Sequence, residues 1–204
     1  CARAGIWRRA SNLFFMNGYD VDNTILRGES TARFFAWCLR RCPRMWLDAP
    51  GQIGNAALFL LKRRAKQAFK ERMLSFLARV DVERELARFW QKNLSRVKPF
   101  YREKHCADDV VISASPEFLI RPACEALGIR HVLGSPVDMH TGRFSGPNCH
   151  GQEKVRRFYQ AFPSGEIDEF YSDSYSDQPL ASLARWAFLV RGEQILNWDA
   201  KKRR

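Results

Sequence analysis

Two aspartates one residue apart, Asp20 and Asp22 in the run Tyr19-Asp20-Val21-Asp22-Asn23-Thr24, follow an apolar segment that starts at Met16. Alternate side chains of an extended chain share a side, so this spacing sets two carboxylates together, where their repulsion is costly unless a cation lies between them. The pair asks for a metal. Farther along, Val110-Val111-Ile112 runs into Ser113-Ala114-Ser115-Pro116, and a hydroxyl beside the amides of a helix start makes a site for an anion. Lys154 opens a helical stretch after Gly151, and Asp173 and Asp177 follow a third apolar segment. Each feature alone reads as ordinary: turn acids, a serine cap, a surface lysine. Together they gather acids, a hydroxyl and a lysine at strand ends and helix starts, the places where a metal and an anion could meet.

The elements that must position these groups follow from periodicity. A strand is expected from Met16 to Asp22. From Ser30 to about Arg96 the apolar residues recur at helical spacing, which fits four helices, with breaks at Ala49-Pro50-Gly51, near Arg64 to Lys66 and at Val80-Asp81, where Asp81 caps the next helix. After that the pattern alternates: strand Asp109 to Ser113, helix Pro116 to Leu127, strand Arg130 to Gly134, and a hairpin at His140-Thr141-Gly142. A helix at Gln152 to Phe162, a strand at Ile167 to Tyr171, a helix at Gln178 to Trp186 and a last strand at Ala187 to Val190 complete it. One strand, a helical insertion and repeating β-α units imply a parallel sheet, whose ligands sit at the carboxyl ends of its strands.

The chain has 204 residues, of which 46% are hydrophobic and 27% charged. That content supports a full core and excludes a disordered chain, and no apolar run approaches the roughly 18 residues of a membrane span. Six sparse cysteines without C-x-x-C spacing fit neither a disulfide scaffold nor a zinc site, so a reducing cytoplasm is expected. The net charge is +12, and its excess lies in residues 1–105, with 22 basic against 9 acidic side chains. A nucleic-acid coat would not stop at the midpoint, so nucleic acid is disfavoured. The basic half suits either steering of an anionic substrate or peripheral contact with an anionic membrane.

The order Asp-x-Asp-x-Thr, strand-Ser, Lys and Asp-x-x-x-Asp resembles the haloacid-dehalogenase-like (HAD) superfamily of phosphohydrolases over about residues 16–190. Tyr19 to Ile25, Gly28-Glu29-Ser30-Thr31, Ser113 to Leu119, Gly146 to Val155 and Tyr171-Ser172-Asp173-Ser174 resemble the branch that contains phosphoserine phosphatases, subfamily IB. Departures are Val21 where Phe or Leu is commoner, Asn23 for a frequent Gly, and Ser172 for another Gly. The resemblance implies a three-layer α/β/α sandwich with a parallel, Rossmann-like sheet and an α-helical cap inserted after strand 1. It divides the chain into an N-terminal extension (1–15), a catalytic core (16–28 and 105–200) and a helical cap (29–104).

It further implies a Mg2+-dependent phosphatase acting on a small-molecule phosphate ester. Asp20 would be the nucleophile, Asp22 the general acid and base, and Ser113, the Ala114 amide and Lys154 the holders of the phosphate. Asp20, Asp22 through its backbone carbonyl, and Asp173 would hold the metal, with Asp177 and Thr24 in support. Glu29 stands where phosphoserine phosphatases bind the substrate amine, and Arg72 near where they bind its carboxylate, on a helix that also offers Arg63, Arg64 and Lys70. The segments around Cys149 to Lys154 and Arg191-Gly192-Glu193 also resemble phosphatidylglycerophosphate phosphatases, which act on a lipid phosphate. A non-catalytic anion- or nucleic-acid-binding module and a phosphotransferase are the remaining expectations.

Overall fold

The computed structural model describes residues 14–43, 45 and 66–198. Expectations for residues 1–13, the break at Ala49 to Gly51, the run Lys62 to Arg64 and the tail Lys201 to Arg204 fall outside the described residues. Six strands form one sheet in the order β3-β2-β1-β4-β5-β6. They are β1 (Phe14–Tyr19), β2 (Val110–Pro116), β3 (His131–Ser135), β4 (Gly165–Ser172), β5 (Trp186–Arg191) and β6 (Gln194–Asn197). The first five are parallel and β6 runs antiparallel to β5. From β1 the chain builds the sheet outward through β2 to β3, then crosses back to set β4 on the other side of β1, so the ends of β1, β2 and β4 surround the crevice at the switch point.

Among the described residues, three α-helices lie between β1 and Arg96: α1 (Ser30–Arg41), α2 (Lys66–Leu74) and α3 (Val82–Asn93); α4 (Pro99–Lys104) follows. Asp81 caps α3 as expected, its carboxylate accepting from the Arg84 amide. Glu85 on α3 is buried and accepts from Trp37 Nε1 at 2.9 Å and Arg41 Nε at 2.7 Å on α1, so the two helices are pinned by a charge-assisted network. These helices share a core with the sheet: Phe34, Leu86, Phe89 and Trp90 belong to one cluster with Tyr19, Val111, Leu119 and Ile120. Trp90 Nε1 donates to the Leu119 carbonyl at 2.7 Å. Leu119 lies on α5 (Glu117–Ala126). The opposite face of the sheet is covered by α6 (Gln152–Ala161), where Phe158 packs with Met16, Val110, Ile112, Ile167 and Phe170. With Val110, Val111 and Ile112 fully buried, β2 is the continuous apolar run of a strand covered on both faces.

Three expectations change. The first strand stops at Tyr19, so Asp20 to Arg27 form a turned loop instead of continuing an extended segment; the Val21 carbonyl accepts from the amides of Thr24, Ile25 and Leu26. The helix at Gln178 ends at Ala181 as α7, short of Trp186, which opens β5 and is 61% exposed. The sheet also continues past Val190: Gly192, at φ 58°, turns the chain into β6, a two-residue hairpin of the kind glycine favours.

Candidate active site

A cavity of about 500 Å³ opens at the carboxyl ends of β1, β2 and β4. Asp20, Asp22, Ser113, Ala114, Lys154, Asp173 and Asp177 all line it, as does Glu29. Parallel strands deliver these groups: β1 ends one residue before Asp20, β2 carries Ser113 near its end, and β4 ends one residue before Asp173.

Lys154 projects from the first turn of α6 and is 1% exposed. Its ammonium donates to Asp20 Oδ1 at 2.8 Å and to Asp177 Oδ2 at 2.7 Å; Ser172 Oγ donates to the same Asp177 oxygen at 2.7 Å. Burial pushes the Asp20 carboxyl up to about 7, with Lys154 opposing and Asp177 adding to the shift. Lys154 itself is held above its ordinary range, because two carboxylates outweigh its own burial. The two directions are compatible. The ammonium faces two anions, whereas Asp20 faces one cation and also the charges of Asp177 and Asp22. Burial and Asp177 likewise raise Asp173.

Asp22 has different company. Its Oδ1 accepts from the backbone amide of Ser30, the first residue of α1, at 2.7 Å, and its Oδ2 from Ser115 Oγ at 2.5 Å. Ser115 is buried and also touches Ser30 Oγ at 3.1 Å and Thr31 Oγ1 at 3.3 Å. The Ser115 amide donates to Ser113 Oγ at 3.2 Å. Asn23 adopts φ 57°, the positive-φ non-glycine residue among those described. That left-handed conformation is why Gly or Asn suits the position, and the asparagine side chain adds a donor: Nδ2 reaches Glu29 Oε1 at 2.6 Å. Burial raises Glu29, with Asp22 and Asp173 adding to it.

Thr24 is fully buried beneath the loop, outside the cavity lining, and its Oγ1 has no hydrogen-bond partner among the described residues. Arg72 needs correction: it is absent from the lining, and the α2 cation that reaches the cavity is Lys70. Two residues apart on a helix means about 200° of rotation, so the two point different ways. The Lys70 ammonium donates to Asn148 Oδ1 at 2.8 Å and to the Ala114 carbonyl at 3.2 Å.

The outer wall is apolar: Phe35 from α1, Phe69, Met73 and Leu74 from α2, then Phe76 and Phe144. Phe144 closes a turn, Val137 to Phe144, which fulfils the expected hairpin. Gly142 in that turn has φ 73°, and a Cβ there would stand 2.3 Å from the Leu74 carbonyl. Only glycine lets the turn approach α2 so closely. Sequence reasoning missed the role of Ser115, although Ser-x-Ser at a strand end carried the signal. It also missed the aromatic wall, which depends on which helix faces turn inward.

No group of three or more His, Cys, Asp or Glu side chains converges as a metal cage among the described residues. Two carboxylates plus a backbone carbonyl would not form such a group. The side-chain acceptors at the strand ends are oxygens, and the five acids of the lining, Asp20, Asp22, Glu29, Asp173 and Asp177, share it with two lysines, Lys154 and Lys70, with burial raising Asp20 and Asp173. Such excess of buried acid fits a hard divalent cation. No helix among the described residues is long and apolar enough to cross a membrane.

Comparisons with known proteins agree with this arrangement. A histidinol-phosphatase of Neisseria meningitidis serogroup C is 27% identical over 212 aligned positions, covering 91% of this chain and 94% of that protein. A protein of unknown function from Bordetella pertussis superposes with a TM-score of 0.70 at 19% identity, covering 86% and 89% of the two chains. A probable phosphoserine phosphatase from Vibrio cholerae gives 0.61 at 10% identity, over 84% of this chain and 55% of that one. Both structures show the shared α/β fold. The sequence family of haloacid dehalogenase-like hydrolases matches residues 18–182, and the chain belongs to that family, as a phosphatase.

Proposed function

We propose that the protein is a Mg2+-dependent phosphomonoester hydrolase working through an aspartyl-phosphate, on a small phosphorylated metabolite that carries an amine. The observation that carries the reading is the contrast between the paired acids. Asp20 is ion-paired to Lys154 through Oδ1, which leaves Oδ2 for bond formation, whereas Asp22 is held by a hydroxyl and an amide. Two carboxylates in different surroundings suit two roles.

In this reading Asp20 Oδ2 attacks phosphorus in line, the bond from phosphorus to the leaving alcohol breaks, and Asp22 gives its proton to the departing oxygen. Asp22 as carboxylate then takes a proton from water; that water attacks phosphorus, the bond to Asp20 breaks, and phosphate leaves. Ser113 and the Ala114 amide hold phosphate oxygens, and Lys154 balances the charge of the transition state. Mg2+, held by Asp20, the Asp22 carbonyl and Asp173, would supply electrostatic stabilisation of the phosphoryl oxygens. Asp177 orients Lys154, and Ser115 orients Asp22.

Residues 29–104 act as the cap in this proposal, with residues 16–28 and 105–200 as the core. Glu29, steadied by Asn23, offers a carboxylate to a cationic amine, and the wall of Phe35, Phe69, Phe76 and Phe144 suits a flat or apolar remainder. This favours an amine-bearing alcohol such as the histidinol of the Neisseria relative. The carboxylate of phosphoserine would have to draw Lys70, the α2 cation of the lining, from its bonds to Asn148 and the Ala114 carbonyl, and Glu29 disfavours the second anion of a phosphatidylglycerophosphate. The test is hydrolysis of histidinol phosphate, phosphoserine, phosphatidylglycerophosphate in vesicles and an aryl phosphate, each with Mg2+ and with chelator. The proposal expects Mg2+-dependent turnover and the highest kcat/KM on histidinol phosphate. Turnover in chelator would overturn the metal assignment, and preference for the lipid would overturn the substrate class.

A further inference from the structure

Behind the loop that carries Asp22 lies a lysine that the chemistry above does not use. Lys98, immediately before α4, is 2% exposed. Its ammonium donates to two backbone carbonyls, that of Asn23 and, at 2.6 Å, that of Gly192 in the β5–β6 turn. Among the described residues no carboxylate pairs with it. Burial disfavours the charge of this ammonium, and the nearby carboxylates of Glu193 and Asp173 only partly offset that, so its retention at this point calls for a reason.

That surrounding structure ties three segments together. The Lys98 amide donates to the Ile25 carbonyl at 2.8 Å and the Arg27 amide to the Arg96 carbonyl at 3.1 Å. Arg27 Nε meets Glu193 Oε1, one residue past Gly192, at 2.7 Å. The loop after β1, the entry to α4 and the hairpin turn are thus stitched into one unit, with the Lys98 ammonium at its centre. The carbonyl that Lys98 holds belongs to Asn23. Asn23 is the residue at φ 57°, is bonded to Asp22 in the chain, and grips Glu29 with its side-chain amide.

We infer that Lys98 is a positioning residue: by fixing the Asn23 peptide against the β5–β6 turn, it keeps Asp22 and Glu29 aimed into the cavity. The inference rests on the reading of Asp20 and Asp22 as the reacting pair. It gives the hairpin missed in the sequence a purpose, because the Gly192 carbonyl is the fixed point against which the loop is held.

The test compares Lys98→Met, which retains an apolar stem without the charge, with Lys98→Arg, which retains charge and donors. On an aryl phosphate, Lys98→Met should lower kcat about ten- to hundredfold with KM within about twofold, the signature of misplaced reacting groups. Deuterium uptake should quicken over residues 20–29 and stay unchanged in β2 and β4. Lys98→Arg should recover most of kcat. A folded Lys98→Met protein with wild-type kcat would overturn the inference. So would a loss of kcat accompanied by faster exchange throughout the sheet, which marks a merely structural role. If Lys98→Met does not fold, Lys98→Gln is read by the same criteria, and failure of both to fold assigns Lys98 to folding instead. Wild-type turnover by Asp20→Asn would defeat the catalytic reading itself. An inactive Asp20→Asn beside a fully active Lys98→Met would defeat this inference alone.

Discussion

The floor and the outer wall of the cavity are built on opposite principles. On the floor, Lys154 and Asp177 are almost fully buried and joined by short hydrogen bonds, with Ser172 and Asp20 completing the network. On the wall, Phe35, Phe69, Met73, Phe76 and Phe144 present carbon. A charge in the floor cannot lose its partner without leaving another stranded, whereas a side chain in the wall can be exchanged for one of similar volume at small cost. The floor is therefore tied to one chemistry, and the wall is where a substrate can be chosen.

The largest expected effect breaks the floor. Asp20→Asn should cost at least about a thousandfold in kcat on every phosphate ester, since the nucleophile is gone, and circular dichroism should show an intact fold. Next come its holders: Ser113→Ala and Lys154→Met should each lower kcat/KM about ten- to a thousandfold for all substrates alike. Lys154→Met should also lower thermal stability by a few kcal/mol, because two buried carboxylates lose their cation.

A wall-side change should do the opposite. Glu29→Gln should reduce kcat/KM for an amine-bearing phosphate about tenfold or more, the scale of one charge-assisted contact, and leave an aryl phosphate within about threefold. If floor and wall variants shifted the substrate ranking in the same way, the division between them would fail.

The smallest effect is on stability against pH. Burial raises Asp20 to about 7 in the metal-free pocket, so folding favours its protonated form, and this contribution, full below about pH 4, is lost as pH rises through about 7. In chelator, the Tm of the wild type should therefore fall relative to Asp20→Asn between about pH 5 and 8, and Mg2+ should close the gap at the upper end. A constant difference across that range would contradict the direction of the shift.

The same division explains how much could be read in advance. The floor was legible because its residues are fixed by strand ends: Asp20, Ser113 and Asp173 each stand where an apolar run stops, and Lys154 where a glycine gives way to a helix. The parallel sheet and its helical insertion were legible for the same reason, from the change of period along the chain. The wall was not, because whether Lys70 or Arg72 enters the cavity depends on the rotation of α2, and periodicity does not fix that rotation. The β6 strand was missed because Gln194 to Asn197 is exposed throughout, so its pairing leaves no alternation of polar and apolar residues. Trp186, expected to end the helix from Gln178, instead opens β5 with its side chain exposed, because the helix stops after one turn at Ala181.

The most direct test of the central claim is to trap the phosphoryl group. The enzyme is mixed with excess aryl phosphate and Mg2+, quenched in acid within the first turnovers, and mapped by peptide mass spectrometry. The account predicts one phosphoryl group on the peptide containing Asp20, labile to hydroxylamine and absent from Asp20→Asn. Steady release of phosphate with Asp20 unmodified throughout, or an Asp20→Asn protein that turns over like the wild type, would contradict it.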